Sequence, residues 1–382
     1  MTAVRFLHTS DWQLGMTRHF LEGEAQARYS AARIDAIRSL GDVARREACE
    51  FVVVAGDVFE SNMVAERTVR RALDALAGVP CPVYLLPGNH DPLDAASVYR
   101  SAVFRQAQPG NVVVLQEPGV LRVRDGVELV AAPWFTKRPL EDLVGDAVAG
   151  LGADGTVRVV VGHGAVDALS PDADDPAVIR LARLEEALAA GTVHYVALGD
   201  RHSRLPVGGT GRVRYSGSPE VTAFVEDLPG DVLVVELDDE VEGGCTVTPH
   251  HVGSWRFVDL VRDVNGTSDV DAVDAELAAM TGKDRTVVRT ALTGTLGLAD
   301  KARLDAVLDR HRETFAALYA WERHEDIAVV VDDGELIDLG VGGFVAAAVG
   351  DLAEVAAEGG DGAQDARDAL SLLYRLVSGG AR

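Results

Sequence analysis

Leu85-Leu86-Pro87-Gly88-Asn89-His90-Asp91 decides how this chain is read: an apolar run from Pro82 to Leu86 stops at a Pro-Gly turn and hands over three polar side chains. Such a run reads as a buried strand ending in a loop. Working outward, Phe51-Val52-Val53-Val54-Ala55-Gly56-Asp57 and Val157-Arg158-Val159-Val160-Val161-Gly162-His163 repeat the form, each a β-branched run closed by Gly and then by a side chain able to bind metal. Val4 to Thr9 alternates like a strand and leads into Ser10-Asp11-Trp12-Gln13, and Val193 to Gly199 ends in Asp200-Arg201-His202. Five strands therefore deliver polar groups. Ligand sites in parallel α/β sheets gather beyond the carboxyl ends of strands, so one site built from residues far apart in sequence is expected.

Between these strands the pattern turns helical, at Ala25 to Ala48, Val64 to Ala77 and around Ala95 to Gln106. Strands that alternate with helices predict an α/β sheet with helices packed on it. Leu121 to Arg124 and Val127 to Ala131 read as a pair turning at Asp125-Gly126, and further helices are expected near Leu140 to Ala149 and Ala177 to Ala190. The strand Asp231 to Leu237 and an exposed join at Asp238 to Gly244 close this part. From about Pro249 a smaller α+β pattern follows, with strands at Arg256 to Val261 and Thr286 to Thr293 and helices at Val270 to Met280 and Ala299 to Tyr319. A helical tail from Gly343 to Leu376 is hinged at Glu358-Gly359-Gly360-Asp361-Gly362. The resulting division is 1–248, 249–340 and 341–382.

The 382 residues suffice for two or three domains, and 47% hydrophobic with 25% charged residues is ordinary for a globular protein. No apolar run approaches the roughly 20 residues needed to cross a bilayer, and Met1 to Phe6 carries no signal-peptide hydrophobic region, so no membrane partner and a cytoplasmic location are expected. Cys49, Cys81 and Cys245 lack metal-like spacing and read as reduced thiols. A net charge of −24 argues against a stand-alone DNA binder, though not against an enzyme that acts on DNA delivered by a partner.

Carboxylate, amide and imidazole at five strand ends can hold two divalent cations. The series Asp11-Trp12-Gln13, Gly56-Asp57, Gly88-Asn89-His90-Asp91, Gly162-His163 and Gly199-Asp200-Arg201-His202 resembles the calcineurin-like metallophosphoesterase signature. Within that superfamily it is most similar to the Mre11/SbcD DNA-repair exonuclease group, by Thr9-Ser10-Asp11-Trp12, Gly56-Asp57-Val58-Phe59 and Tyr215-Ser216-Gly217-Ser218-Pro219-Glu220. The resemblance spans about Val4 to Glu220. It implies a four-layer α-β-β-α sandwich, a smaller α+β capping domain and a helical tail that docks an SbcC/Rad50-like ATPase. It also implies a homodimer acting on DNA.

Carried over motif by motif, the resemblance assigns Asp11, Gln13, Asp57 and His202 to one metal, and Asp57, Asn89, His163 and Asp200 to a second, with Asp57 bridging. Gln13 and Asp200 stand where the family usually has His. Both offer oxygen, a harder donor set that favours Mn²⁺, or Mg²⁺, over softer ions. His90 takes the general-acid role and Asp91 holds its ring in one tautomer, while Arg201, between two ligands, meets the substrate phosphate. His8 and His194, inside strand patterns, read as core or supporting histidines, and His250-His251 as a surface strand. Two other functions share these residues: a small-molecule phosphodiesterase or phosphatase on the same centre, and a non-catalytic scaffold, which Gln13 and Asp200 would permit.

Overall fold

The computed structural model describes residues 3–172, 174–238, 244–330, 344–358, 360 and 362–379. Its chain divides into two compact units, one of residues 1–19 and 26–255, the other of residues 20–25 and 256–382.

The larger unit is built on two six-stranded sheets. In the first, β1 (Val4–Thr9), β2 (Phe51–Val54), β3 (Val83–Leu85) and β4 (Val112–Val114) run parallel. Two antiparallel strands, β11 (Asp231–Leu237) and β12 (Cys245–His251), extend its β1 edge. The second sheet has the order β5-β6-β7-β8-β10-β9, from β5 (Gly119–Arg124), β6 (Val127–Ala131), β7 (Val157–His163), β8 (Tyr195–Gly199), β9 (Leu205–Val207) and β10 (Val213–Tyr215).

The strands read as unbroken apolar runs because both of their faces are buried. Phe6, Phe51 and Val53 of the first sheet meet Val157, Val159, Val161, Tyr195 and Ala197 of the second in one core. The alternate residues Leu7, Val52 and Val54 face outward into a core with Ile37 and Leu40 of α1 (Gly23–Arg46) and Leu73 and Leu76 of α2 (Glu66–Ala77). On the other side Val160, Val196 and Leu198 pack with Val144 of α4 (Leu143–Val148) and Leu184 of α5 (Leu181–Ala189). Helix, sheet, sheet, helix is the expected four-layer order. The helix expected around Ala95 to Gln106 is broken into a 3₁₀ turn, Val98–Arg100, and α3 (Ala102–Ala107), with the Ser101 hydroxyl capping α3 at the Phe104 N–H.

β12 pairs with β11 over seven residues, so the larger unit runs on to Trp255, past the 248 boundary read from the pattern change. Part of the join at 238–244 and of the joint at 358–362 lies outside the described residues.

In the smaller unit β13 (Arg256–Asp263), α6 (Thr267–Ala279), β14 (Thr286–Gly297) and α7 (Leu298–Arg312) alternate, and β14 pairs parallel with β13, β15 (Ala317–Ala320) and β16 (Asp326–Val330). Parallel pairing follows from the helices that join the strands. The helix expected to reach Tyr319 stops at Arg312, because Ala317 to Ala320 pairs with β14 instead. Helices Phe344–Glu358 and Ala363–Gly379 follow, sharing Val349, Ala356, Ala366 and Leu370 in one cluster. No helix among the described residues is long and apolar enough to cross a membrane.

Candidate metal centre

The loops after β1, β2, β3, β7 and β8 are laced together by their own backbone. Asp11 N–H donates to the Gly56 carbonyl at 3.1 Å, Gln13 N–H to the Asp57 carbonyl at 2.9 Å and His90 N–H to Asp57 Oδ1 at 2.9 Å. The Asp200 N–H reaches both Asp11 oxygens at 3.1 Å. Such close lacing bends the chain sharply. Asp11, Gln13, Asp57 and Asp200 all have positive φ (54°, 43°, 54° and 105°), and among the described non-glycine residues only Ala48 shares that trait. Strained backbone of this kind collects at functional sites. Two of the glycines that precede ligand candidates leave room for other candidates: a Cβ on Gly56 would lie 2.1 Å from His163 Nδ1, and one on Gly88 2.3 Å from Asp57 Oδ1.

Asp11, Asp57 and His163 bring one donor atom each within 4.8 Å of one another, all three residues buried. His163 Nδ1 lies 2.9 Å from the Ala55 carbonyl, to which it donates, so Nε2 faces Asn89 Oδ1 at 2.8 Å and Asp57 Oδ2 at 3.5 Å. On the other side His202 Nε2 lies 4.0 Å from Asp11 Oδ1 and 3.1 Å from Gln13 Nε2. Gln13 Oε1 is buried without a hydrogen-bond partner. A buried, orphaned oxygen on a side chain that touches His202, together with the Asp11, Asp57 and His163 cluster, is what a bound cation would satisfy, so the donor set fits a divalent metal.

The charges strain against burial. Desolvation pushes the Asp11 carboxyl up to about 6, although His202 and His163 pull it down. Burial acts the same way on Asp57, yet there His163 prevails and holds it below the usual carboxylate range. Burial alone would lower His163, but the Asp57 and Asp11 carboxylates outweigh it and hold the ring well above an ordinary histidine, with Asp200 adding to them. Without a cation these groups share protons among themselves.

Two sequence expectations change. Asp91 is fully buried and does not hold the His90 ring: it accepts from Gly88 N–H, Phe59 N–H and the Tyr99 hydroxyl, and so ties the Asn89 loop to the Asp57 loop. The His90 ring is oriented by the Glu60 carbonyl, 2.9 Å from Nδ1, with Nε2 3.9 Å from Asp57 Oδ2. The two neighbours in sequence point apart because Asp91 turns inward to cap the loop. Arg201, expected at the substrate phosphate, donates instead to the Leu169 carbonyl at 2.7 Å.

Several supporting residues lie outside the list of candidate site residues. Arg33 is buried on the apolar stripe of α1 with Tyr29, Ile37 and Leu40, and donates to the Trp12 and Val221 carbonyls. A charge at a stripe position was the available signal. Ser218 donates to the Asp11 carbonyl and Ser216 contacts Ser10, which donates to Asp11 Oδ2, so the Gly-Ser-Pro element braces the first loop. Trp134 Nε1 donates to the His163 carbonyl. His250 and His251 lie on β12, and His8 bridges the two sheets through the Tyr195 hydroxyl and the Leu198 carbonyl.

The family model for calcineurin-like phosphoesterase matches residues 4–235. The chain belongs to that family. As a calcineurin-like phosphoesterase it is a metal-dependent hydrolase of phosphate esters. A Rhodobacter capsulatus protein, named as the SbcD component of the nuclease SbcCD, is 26% identical over 325 residues, covering 74% of this chain and 77% of that protein. One of the same name from Escherichia coli K12 is 26% identical over 257 residues, covering 58% and 62%. Among solved structures, a dimetal phosphatase from Danio rerio is 14% identical with a TM-score of 0.40, covering 61% of this phosphoesterase and 95% of that chain. A purple acid phosphatase from yellow lupin is 9% identical with a TM-score of 0.41, covering 66% and 52%.

Proposed function

We propose that the chain is a DNA nuclease of the SbcD type, hydrolysing phosphodiester bonds with two divalent cations, Mn²⁺ in preference to Mg²⁺. The observation that carries this reading is the convergence of Asp11, Asp57 and His163 from three separate strand ends, while Gln13, in contact with His202, keeps its Oε1 buried and unsatisfied. Asp11, Gln13, Asp57 and His202 would hold one cation, and Asp57, Asn89, His163 and Asp200 the other. Bound cations neutralise charge on the phosphoryl oxygens and make water a nucleophile at neutral pH.

The chain's own residues do the rest. Asp57 is oriented by the His90 N–H, and Asp11 by the Asp200 N–H and the Ser10 hydroxyl, so neither carboxylate has to reorganise when substrate arrives. The His90 side chain is 38% exposed, unlike the buried His163, and is therefore open to substrate. With Nδ1–H committed to the Glu60 carbonyl, a protonated His90 has its second proton at Nε2, from which it protonates the leaving oxygen. The relatives' name supports the substrate: they are components of a nuclease, SbcCD. A net charge of −24 leaves most of the DNA affinity to an SbcC-like ATPase partner and to the cations. Its setting is DNA repair in the cytoplasm.

The same charge favours a second reading, a small-molecule phosphodiesterase. Mn²⁺-dependent hydrolysis of labelled DNA, single- and double-stranded, is measured beside bis-p-nitrophenyl phosphate for wild type, His90→Ala and Asp57→Asn. The nuclease reading expects both substrates to be cut, with Asp57→Asn inactive and His90→Ala losing on the order of 10²- to 10⁴-fold. Hydrolysis of the small ester alone, unaltered by an SbcC-like partner, moves the assignment to the second reading.

A further inference from the structure

We propose that Glu226, acting with Thr222, is the positioning residue that locks His202 in the tautomer a cation requires; the inference rests on the reading of His202 as a ligand. Neither residue belongs to a strand-end motif. They sit on the segment after Pro219, and the Glu226 side chain is only 4% exposed although its neighbour Val225 is 83% exposed. That segment is clamped around His202: Ser218 N–H donates to the His202 carbonyl at 2.9 Å, and Asp227 N–H to the Ser203 hydroxyl at 3.0 Å.

Both oxygens of the Glu226 carboxylate are engaged. Oε2 takes the Thr222 N–H at 2.9 Å, and Oε1 takes the Thr222 hydroxyl proton and lies 3.1 Å from His202 Nδ1. Thr222 Oγ1 itself lies 2.5 Å from Nδ1. The hydroxyl has a single proton, already given to Glu226, and a carboxylate has none to give. His202 must therefore carry its proton on Nδ1 and donate it to Thr222 and Glu226. Whenever the ring is neutral, Nε2 is the nitrogen left with a lone pair, turned to Gln13 and Asp11. A carboxylate behind an imidazole is a recurring way to fix ring and tautomer for a metal.

Glutamine at 226 cannot reproduce this pattern, since it offers one acceptor and one donor where two acceptors are needed. Either the amide meets the Thr222 N–H, or it meets Nδ1 and drives the proton to Nε2. The experiment uses the full chain: Mn²⁺ binding followed by the paramagnetic resonance of free Mn²⁺, and ring tautomers by long-range ¹H–¹⁵N spectra of metal-free, ¹⁵N-histidine protein. His202 signals are those lost in His202→Ala. Glu226→Gln is expected to weaken the His202-dependent Mn²⁺ site on the order of 10- to 100-fold and to take His202 out of the Nδ1–H tautomer. Thr222→Val, which leaves Glu226 facing Nδ1, is expected to keep that tautomer with a smaller loss. Should Glu226→Gln fail to fold, Glu226→Asp keeps an acceptor but withdraws it by one methylene, and the same two readings apply to it. Wild-type affinity and tautomer in the Glu226 variant, while His202→Ala weakens binding, would overturn the inference and leave the function standing. No loss of Mn²⁺ in His202→Ala would overturn both.

Discussion

Asp11 and His163 hold protons that a cation has to displace. Burial first of all places the Asp11 carboxyl at about 6, and the neighbouring carboxylates keep His163 charged above its ordinary value. A cation needs the first ionised and the second neutral, so binding releases protons and affinity rises with pH. Below about 6 Asp11 takes its proton back, and His163 competes already above that. Each proton displaced weakens binding about tenfold per pH unit. The rise in melting temperature caused by a fixed Mn²⁺ concentration should therefore be large at pH 7.5 and nearly gone at pH 5.5, because ligand stabilisation follows affinity. Equal shifts at both pH values would show that these groups do not bind the ion. The ligand candidates were legible because each follows a strand end directly. Glu226 and Arg33 were not, since nothing local tells that a loop glutamate and a helix arginine will turn toward residues some twenty or more positions away. Asp91 misled for the opposite reason: adjacency to His90 implied a contact that the turn of the loop forbids.

At the scale of elements a buried polar bridge joins the two sheets at His8. His8 of β1 has Nδ1 3.1 Å from the Tyr195 hydroxyl and Nε2 3.2 Å from the Leu198 carbonyl, both on β8. Burial, above all, lowers its pKa to about 3, so the folded ring stays neutral where an unfolded chain would take a proton below about 6.5. His8→Ala should cost about 3 kcal/mol at pH 7.5, from the cavity and the two polar groups left unpaired. Wild type loses its own advantage as pH falls from 6.5 toward 3, at about 1.4 kcal/mol per unit, so the cost at pH 5 should be roughly 2 kcal/mol smaller. Urea unfolding of both proteins at the two pH values measures this, and a difference independent of pH would contradict the bridge. Strand positions along β1, β2, β7 and β8 were readable from their apolar runs. The end of α7 was not, because the residues after Arg312 suit helix or strand and only the distant partner β14 decides.

For the whole molecule, each unit has its own apolar cores: those of the sandwich, and in the smaller unit one around Leu260, Val288, Leu292 and Leu318. Separate cores allow separate unfolding, and every metal-ligand candidate belongs to the larger unit. Scanning calorimetry should resolve two transitions, of which Mn²⁺ raises one and leaves the other in place. A single transition that moves as a whole would mean that the units unfold together.

What the sequence determined by itself is the order of strands and helices, the family, and the short list of donors, because runs of β-branched residues closed by Gly and a polar group are local signals. Tertiary structure alone decided where β12 belongs, that residues 20–25 belong to the smaller unit, and which groups stand behind His202, Asp11 and His90. Those outcomes depend on which sheet edge or loop a segment meets, and such a meeting is paid for only when the chain has closed around it.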